Sequence, residues 1–269
     1  GLEHFDYIMR GGFPSKTLGV IMAGTGVGKS LFMCSMSSNL VESGHNVLYI
    51  TMEMAEEKIA QRIDQNLLNL NNEELEVIAK DSFTKRFDNL KMKTKGQLVV
   101  KEYPTKSAHA GHFRALLKEL KQKKDFEPDV VCIDYINICQ SMSAGKNANS
   151  YEQIKSTAEE LRALAMEFNI PVLTATQTNR TGFSDADVDM TSVSESFGLP
   201  MTADYLFAMT TNDKLRDEGL IRFTQLKNRY GDPAERRNWL LNVDYSKMRV
   251  LDLDQQPESI EAQNDALMK

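Results

Sequence analysis

The segment Ala23-Gly24-Thr25-Gly26-Val27-Gly28-Lys29-Ser30 constrains this 269-residue chain more than any other stretch. An apolar run, Leu18–Ala23, precedes it, and an apolar-faced helical pattern, Lys29–Val41, follows. Three glycines at alternate positions permit turns that point successive backbone N–H groups at one place, and the helix start adds its partial positive charge. The spacing is that of a Walker A phosphate loop, with Ala23 in the first glycine position, where smallness matters more than glycine itself. In such a loop Lys29 reaches the β- and γ-phosphates and the Ser30 hydroxyl ligates Mg²⁺, and Ala23 through Leu31 is the expected nucleotide-binding segment.

The rest of the chain alternates in the same manner. Val47–Thr51, Gln97–Tyr103, Asp129–Tyr135 and Pro171–Thr176 read as buried strands. Between them, helical periodicity covers Ala55 to Leu70, Asn72 to Phe87, His112–Lys123 and Tyr151 to Phe168. Strands separated by helices predict right-handed crossovers and a mainly parallel sheet covered on both faces. Tyr205–Thr210, Leu220–Leu226 and Trp239–Tyr245 follow with short polar connections, which predicts an antiparallel extension. The expected organisation is an entry segment over 1–16, one α/β domain over 17–251 and an acidic flexible tail over 252–269.

Net charge is −6, which argues against a surface that coats nucleic acid all over. Its distribution changes the reading. Asp252, Asp254, Glu258, Glu261 and Asp265 face only Lys269, so the tail carries −4 and residues 1–251 only −2. Two basic stretches, 85–106 and 114–124, are candidate phosphate patches; Leu116, Leu117 and Leu120 make the second read better as the solvated face of a helix. Cys34, Cys132 and Cys139 lack CxxC spacing and a histidine cluster, which favours a reducing compartment over a disulfide or zinc framework. The absence of a signal-peptide layout or a long apolar run predicts a cytoplasmic protein with no membrane partner.

Further chemistry belongs at the tips of the neighbouring strands, where a parallel sheet presents its ligand edge. Val130-Val131-Cys132-Ile133-Asp134 has the apolar run and terminal acid of a Walker B strand, placing Asp134 in the Mg²⁺ shell. Glu53, just past Val47–Thr51, can orient and deprotonate an attacking water, whereas Glu56 and Glu57 read as a solvated helix start.

Glu53-Met54, Ile133-Asp134-Tyr135, Thr176-Gln177-Thr178-Asn179-Arg180 and Lys227-Asn228-Arg229-Tyr230-Gly231 follow the phosphate loop in that order. Over about residues 1–250 this set resembles the motor domain of DnaB-type replicative DNA helicases, its bacteriophage members above all. The resemblance implies a RecA-like P-loop NTPase fold, with ATP or GTP as substrate and Mg²⁺ as cofactor. It implies Glu53 as the catalytic glutamate and Gln177 as the γ-phosphate sensor. Lys227 and Arg229 become basic fingers acting in the neighbouring subunit's site, and Arg62 matches a basic position of less defined task. Single-stranded DNA is expected at two loops: Gln140–Ser150, with Lys146, and Arg180–Gly198. Glu195 and Ser196 keep their family places in the second, while Ser194 and Phe197 depart from them.

The implied activity is 5′-to-3′ translocation on single-stranded DNA by a hexameric ring that unwinds duplex at a replication fork. Self-assembly, a primase and a helicase loader are the implied partners. The chain is expected to be a motor fragment carrying the end of a linker. The residues also leave open a filament-forming recombinase ATPase and a nucleotide-gated scaffold without unwinding activity.

Overall fold

A computed structural model describes residues 1–145, 147–177 and 198–253. Its strands are β1 (Leu18–Ala23), β2 (Val47–Thr51), β3 (Leu98–Glu102), β4 (Val130–Asp134), β5 (Val172–Gln177), β6 (Tyr205–Thr210), β7 (Leu220–Asn228), β8 (Asn238–Asp244) and β9 (Arg249–Asp252). They form one sheet in the order β3-β2-β4-β5-β1-β6-β7-β8-β9. The first six strands in that order pair in parallel, and β6 to β9 pair antiparallel. This is the mainly parallel sheet with an antiparallel extension that the alternating pattern predicted.

Both faces of the parallel part are covered, which is why its strands read as unbroken apolar runs. Side chains alternate along β1: Leu18, Val20 and Met22 join one core with Leu48, Ile50 and Ile133. Helices α6 (Ala110–Lys124) and α7 (Ser150–Phe168) close that face with Phe113, Leu117, Leu161 and Leu164. Ile21 and Ala23 point to the other face, with Val47, Tyr49 and Cys132. There α2 (Lys29–Glu42) and α3 (Glu56–Leu68) supply Phe32, Met33, Ile59 and Ile63. Along α6 the apolar side turns inward and Lys121 and Lys123 pair with Glu127 and Glu119 in solvent, so the basic stretch 114–124 is a solvated face.

The structure departs from the sequence reading in three places. The single amphipathic stretch expected over Asn72–Phe87 is two helices, α4 (Asn72–Val77) and α5 (Lys80–Lys93), separated by extended backbone at Ile78 and Ala79. An Asn71–Glu74 capping box starts α4, and Lys91 and Lys93 in the last turn suit the negative end of α5. Residues 3–8, read as an entry segment, form α1 (Glu3–Ile8), whose Phe5 lies among Phe32, Phe207, Phe223 and Trp239 at centroid distances of 5.0 to 5.6 Å. Strand β9 was not foreseen, and it takes in Asp252, whose Oδ2 accepts a hydrogen bond from the Glu3 backbone N–H at 2.7 Å. The remainder of the expected tail lies outside the described residues.

Candidate nucleotide site

The glycine-rich loop leaves β1 at the C-terminal edge of the parallel strands. Gly26 (φ 77°) and Gly28 (φ 113°) both occupy the left-handed region, and an added Cβ at either would meet no atom within 4 Å. Glycine is therefore required there by backbone conformation, and the space in front of the loop is open to a ligand. Gly28 caps α2 without a side-chain hydrogen bond, which leaves the first-turn amides of α2 to an anion. Lys29 is buried, with Nζ 5.2 Å from the Tyr135 ring centroid, and Val27 and Leu31 are buried beside it.

Asp134 ends β4 in register with Thr51 at the end of β2 and is fully buried. Its Oδ2 accepts from the Tyr49 hydroxyl at 3.0 Å, while Oδ1 has no hydrogen-bond partner among the described residues. Burial raises the carboxyl's pKa; the hydroxyls of Ser30 and Tyr49 and the charges of Lys29 and Arg62 oppose that shift. A buried carboxylate oxygen left bare beside a serine hydroxyl fits a hydrated divalent cation that takes its other ligands from water and phosphate. Among the described residues no group of three His, Cys, Asp or Glu side chains is placed to hold a metal ion. Arg62, on α3, faces this acid through its positive field. Glu53 is exposed just beyond β2; after burial, its charge is the next cause raising the nearby Tyr135 phenol.

Strand β5 lies between the loop strand and the Asp134 strand, with Gln177 in register with Ala23. Gln177 Nε2 donates to Thr25 Oγ1 at 2.7 Å, so the expected sensor touches the phosphate loop directly. Asn137 was missed by sequence reasoning. Its Oδ1 accepts from Thr176 Oγ1 at 2.9 Å and from the Gln177 backbone N–H at 3.1 Å, fixing the end of β5. Tyr49 was missed as well. The available signals were a phenol inside an otherwise apolar strand and an amide three residues after Asp134.

Lys227 and Arg229 are not brought to this edge. Strand β6 runs parallel to β1 and β7 returns antiparallel, so the end of β7 lies beside the start of β1. Five residue steps along β1 at ~3.3 Å each separate the two edges by about 17 Å. At that far edge Arg229 Nε pairs with Asp204 Oδ1 at 2.7 Å, and Lys227 Nζ donates to the carbonyls of Pro200 at 2.5 Å and Met201 at 3.3 Å. The last two belong to α8 (Gly198–Thr202). Burial lowers the Lys227 pKa, and the charge of Arg229 lowers it further. Of the expected DNA loops, Lys146 and residues 178–197 lie outside the described residues.

The family model described as the DnaB-like helicase C-terminal domain matches residues 1–235. A DnaB-like replicative helicase of Enterobacteria phage T4 is 40% identical over 258 residues, covering 94% of this chain and 54% of that protein. The replicative DNA helicase DnaB of Helicobacter pylori strain J99 is 26% identical over 233 residues, covering 80% of this chain and 46% of its own. The chain thus spans about half the length of the curated relatives it matches. Among solved structures, one ATPase domain superposes with a TM-score of 0.78 at 16% identity, covering 94% of this chain and 90% of that one. A DnaB-like replicative helicase solved in a study of its interactions with primase gives 0.77 at 17% identity, covering 94% and 63%. At those identities the two structures speak to the fold, which is RecA-like.

Proposed function

The chain belongs to the DnaB-like helicase C-terminal domain family, and from that premise we propose that it is an NTP-driven motor that moves 5′ to 3′ on single-stranded DNA as a hexameric ring and unwinds duplex at a replication fork. One observation carries the reading: the phosphate loop, Asp134, Glu53 and Gln177 share one edge of the sheet, while Lys227 and Arg229 stand at the opposite edge. A chain with this division has only part of a hydrolysis site at either edge. Stacked head to tail, each copy presents its basic pair to its neighbour's phosphates, and a rotation that closes makes a ring.

Within the proposed site the loop amides and Lys29 bind the β- and γ-phosphates, and Ser30 and Asp134 hold Mg²⁺. When bound, Mg²⁺ neutralises phosphate charge. Glu53 orients the attacking water and takes its proton. Gln177, held by Asn137 and touching Thr25, sits where a γ-phosphate would disturb it, and its strand leads directly into residues 178–197. That continuity supports a link between nucleotide state and the DNA grip. Self-assembly, single-stranded DNA, a primase, a loader and a cytoplasmic setting all belong to this proposal, as does a motor that takes in α1 and β9 and is followed by a tail beyond Asp252. Among the described residues no helix is long and apolar enough to cross a membrane.

The test is Mg²⁺-dependent NTP turnover with and without single-stranded DNA, for wild type, Glu53→Gln and Arg229→Ala. DNA should stimulate turnover, and each substitution should reduce it by about 10³-fold or more. Mixing Arg229→Ala with Lys29→Ala chains should restore part of the activity, because mixed interfaces then hold one intact site. If DNA has no effect and Glu53→Gln keeps full turnover, the motor reading fails. Closed rings around DNA in micrographs support the helicase; helical filaments support the recombinase reading instead.

A further inference from the structure

Asp204 is a fully buried carboxylate with an arginine on either side. Arg162, from the middle of α7, donates from Nε to Oδ2 at 3.1 Å and from Nη2 to Oδ1 at 3.3 Å. Arg229 pairs through Nε with Oδ1 at 2.7 Å. The backbone fixes the same acid: the Leu18 N–H donates to Oδ2 at 3.0 Å, the Asp204 N–H to Leu18 O at 2.9 Å, and the Arg229 N–H to Asp204 O at 2.9 Å. The carboxylate is thus anchored to the first residue of β1, the strand that carries the phosphate loop at its other end.

Two features of this arrangement exceed what an ordinary ion pair needs. First, Arg229 spends only its Nε on the acid; its other polar contact among the described residues is Nη2 to Met201 O, a marginal 3.5 Å. Arg229 remains 39% exposed while Asp204 is 0% exposed, so the open end of the guanidinium fork faces outward from a rigid seat. Second, a lone Asp–Arg pair is neutral, and a neutralised guanidinium does little for the charge that develops on a transferring phosphoryl group. Arg162 supplies the missing charge. The group of Arg162, Asp204 and Arg229 sums to one net positive, and the exposed member is Arg229.

We infer that Asp204 and Arg162 are positioning residues for Arg229: Asp204 aims the guanidinium outward, and Arg162 offsets the acid so that the group as a whole presents a net positive charge. The inference rests on Arg229 acting as the finger of the proposed motor. Lys227, held on the carbonyls of Pro200 and Met201, stands beside it with its own cation and adds to the same outward field.

The experiment measures DNA-stimulated NTP turnover of the full chain for Arg162→Gln, Arg162→Lys, Asp204→Asn and Arg229→Ala, with nucleotide binding measured in parallel. Arg162 is partly exposed, so Arg162→Gln keeps the fold where Asp204→Asn, which strips a buried acid from two arginines, can lose it. The expected result is a fall in kcat of about 10- to 100-fold for Arg162→Gln with KM unchanged, because a finger that is displaced, or whose field the acid cancels, weakens only the transition state. Arg162→Lys, which restores the charge without the two-point grip, should recover most of that loss. A folded Asp204→Asn should fall between Arg162→Gln and Arg229→Ala. Wild-type kcat in Arg162→Gln, with Arg229→Ala inactive, overturns the positioning role and leaves the finger standing. So does a parallel loss of nucleotide affinity and kcat that Arg162→Lys does not rescue. Full activity in Arg229→Ala removes the finger, and the positioning role with it.

Discussion

Asp64 provides a sharp test of the physical reading of α3, the helix that carries Arg62 toward the nucleotide site. It follows Ile63, which is 0% exposed, and precedes Gln65 and Asn66, at 1% and 2%. Among the described residues no cation or hydrogen-bond donor is paired with its carboxyl, and burial alone pushes its pKa up to about 6. The folded pKa therefore lies above the unfolded one, near 3.9. Below the unfolded value both states are protonated and the residue costs nothing. As pH rises toward 6 the unfolded chain ionises first, and stability falls across that window and then levels off.

The full shift is worth about 3 kcal/mol at ~1.4 kcal/mol per pKa unit. Asp64 is only partly buried, so solvent screening reduces the expected penalty to about 1–2 kcal/mol at neutral pH. Asp64→Asn keeps the shape, has a similar helix propensity and cannot ionise. Urea unfolding followed by circular dichroism in Mg²⁺-free buffer, at several pH values from about 4 to 8, gives the comparison. The variant should match wild type near pH 4 and exceed it by about 1–2 kcal/mol above pH 6.5, with equal slopes. Curves that run parallel over the whole range would show that Asp64 is solvated, and refute the reasoning.

Two further outcomes follow from packing and hydrogen bonding. Tyr49→Phe removes the donor to Asp134 Oδ2 and nothing else of comparable size; it should cost about 1.5–3 kcal/mol in urea unfolding and raise the Mg²⁺ concentration needed for nucleotide binding by about 10-fold or more. An unchanged Mg²⁺ requirement would remove Tyr49 from the site. Phe5→Ala vacates the ring at the centre of Phe32, Phe207, Phe223 and Trp239 and should cost about 3–5 kcal/mol, whereas a loss below about 1 kcal/mol would mean that α1 is not part of the core.

The elements legible in the sequence are those whose local pattern and tertiary burial agree. Runs such as LGVIMA and VVCID are buried on both faces, so their strands need no alternation to be found. Helix α1 gave no such signal: it has six residues, and Leu2 before it offers no capping side chain. Its helical state follows from Phe5 entering an aromatic cluster assembled by strands more than two hundred residues away. Strand β9 buries only Val250 of its four residues and is fixed by pairing with β8. At α4 and α5 the failure has the opposite cause. Both helices lack a buried residue, so no core positions dictate where one helix must stop and the next begin.

The site divides along the same line. A glycine-rich loop can be read from sequence because its conformational demands fall on consecutive residues. Tyr49 and Asp134 are 85 residues apart, Arg162 and Asp204 are 42 apart, and in each pair the meaning of one residue depends on the other. The two-residue spacing of Lys227 and Arg229 suggests a shared direction, but no spacing says which edge of the sheet they reach. That is settled by β7 running antiparallel to β6. Had β7 entered in parallel, the basic pair would lie at the edge of its own phosphate loop, and a single chain could hold a complete site. One strand reversal places Lys227 level with Val20, about 10 Å back along β1 from Ala23, and Arg229 about 17 Å back, beside Asp204. In the proposed motor, the demand for a neighbouring subunit is therefore carried by the topology of the antiparallel extension, rather than by any residue in the phosphate loop.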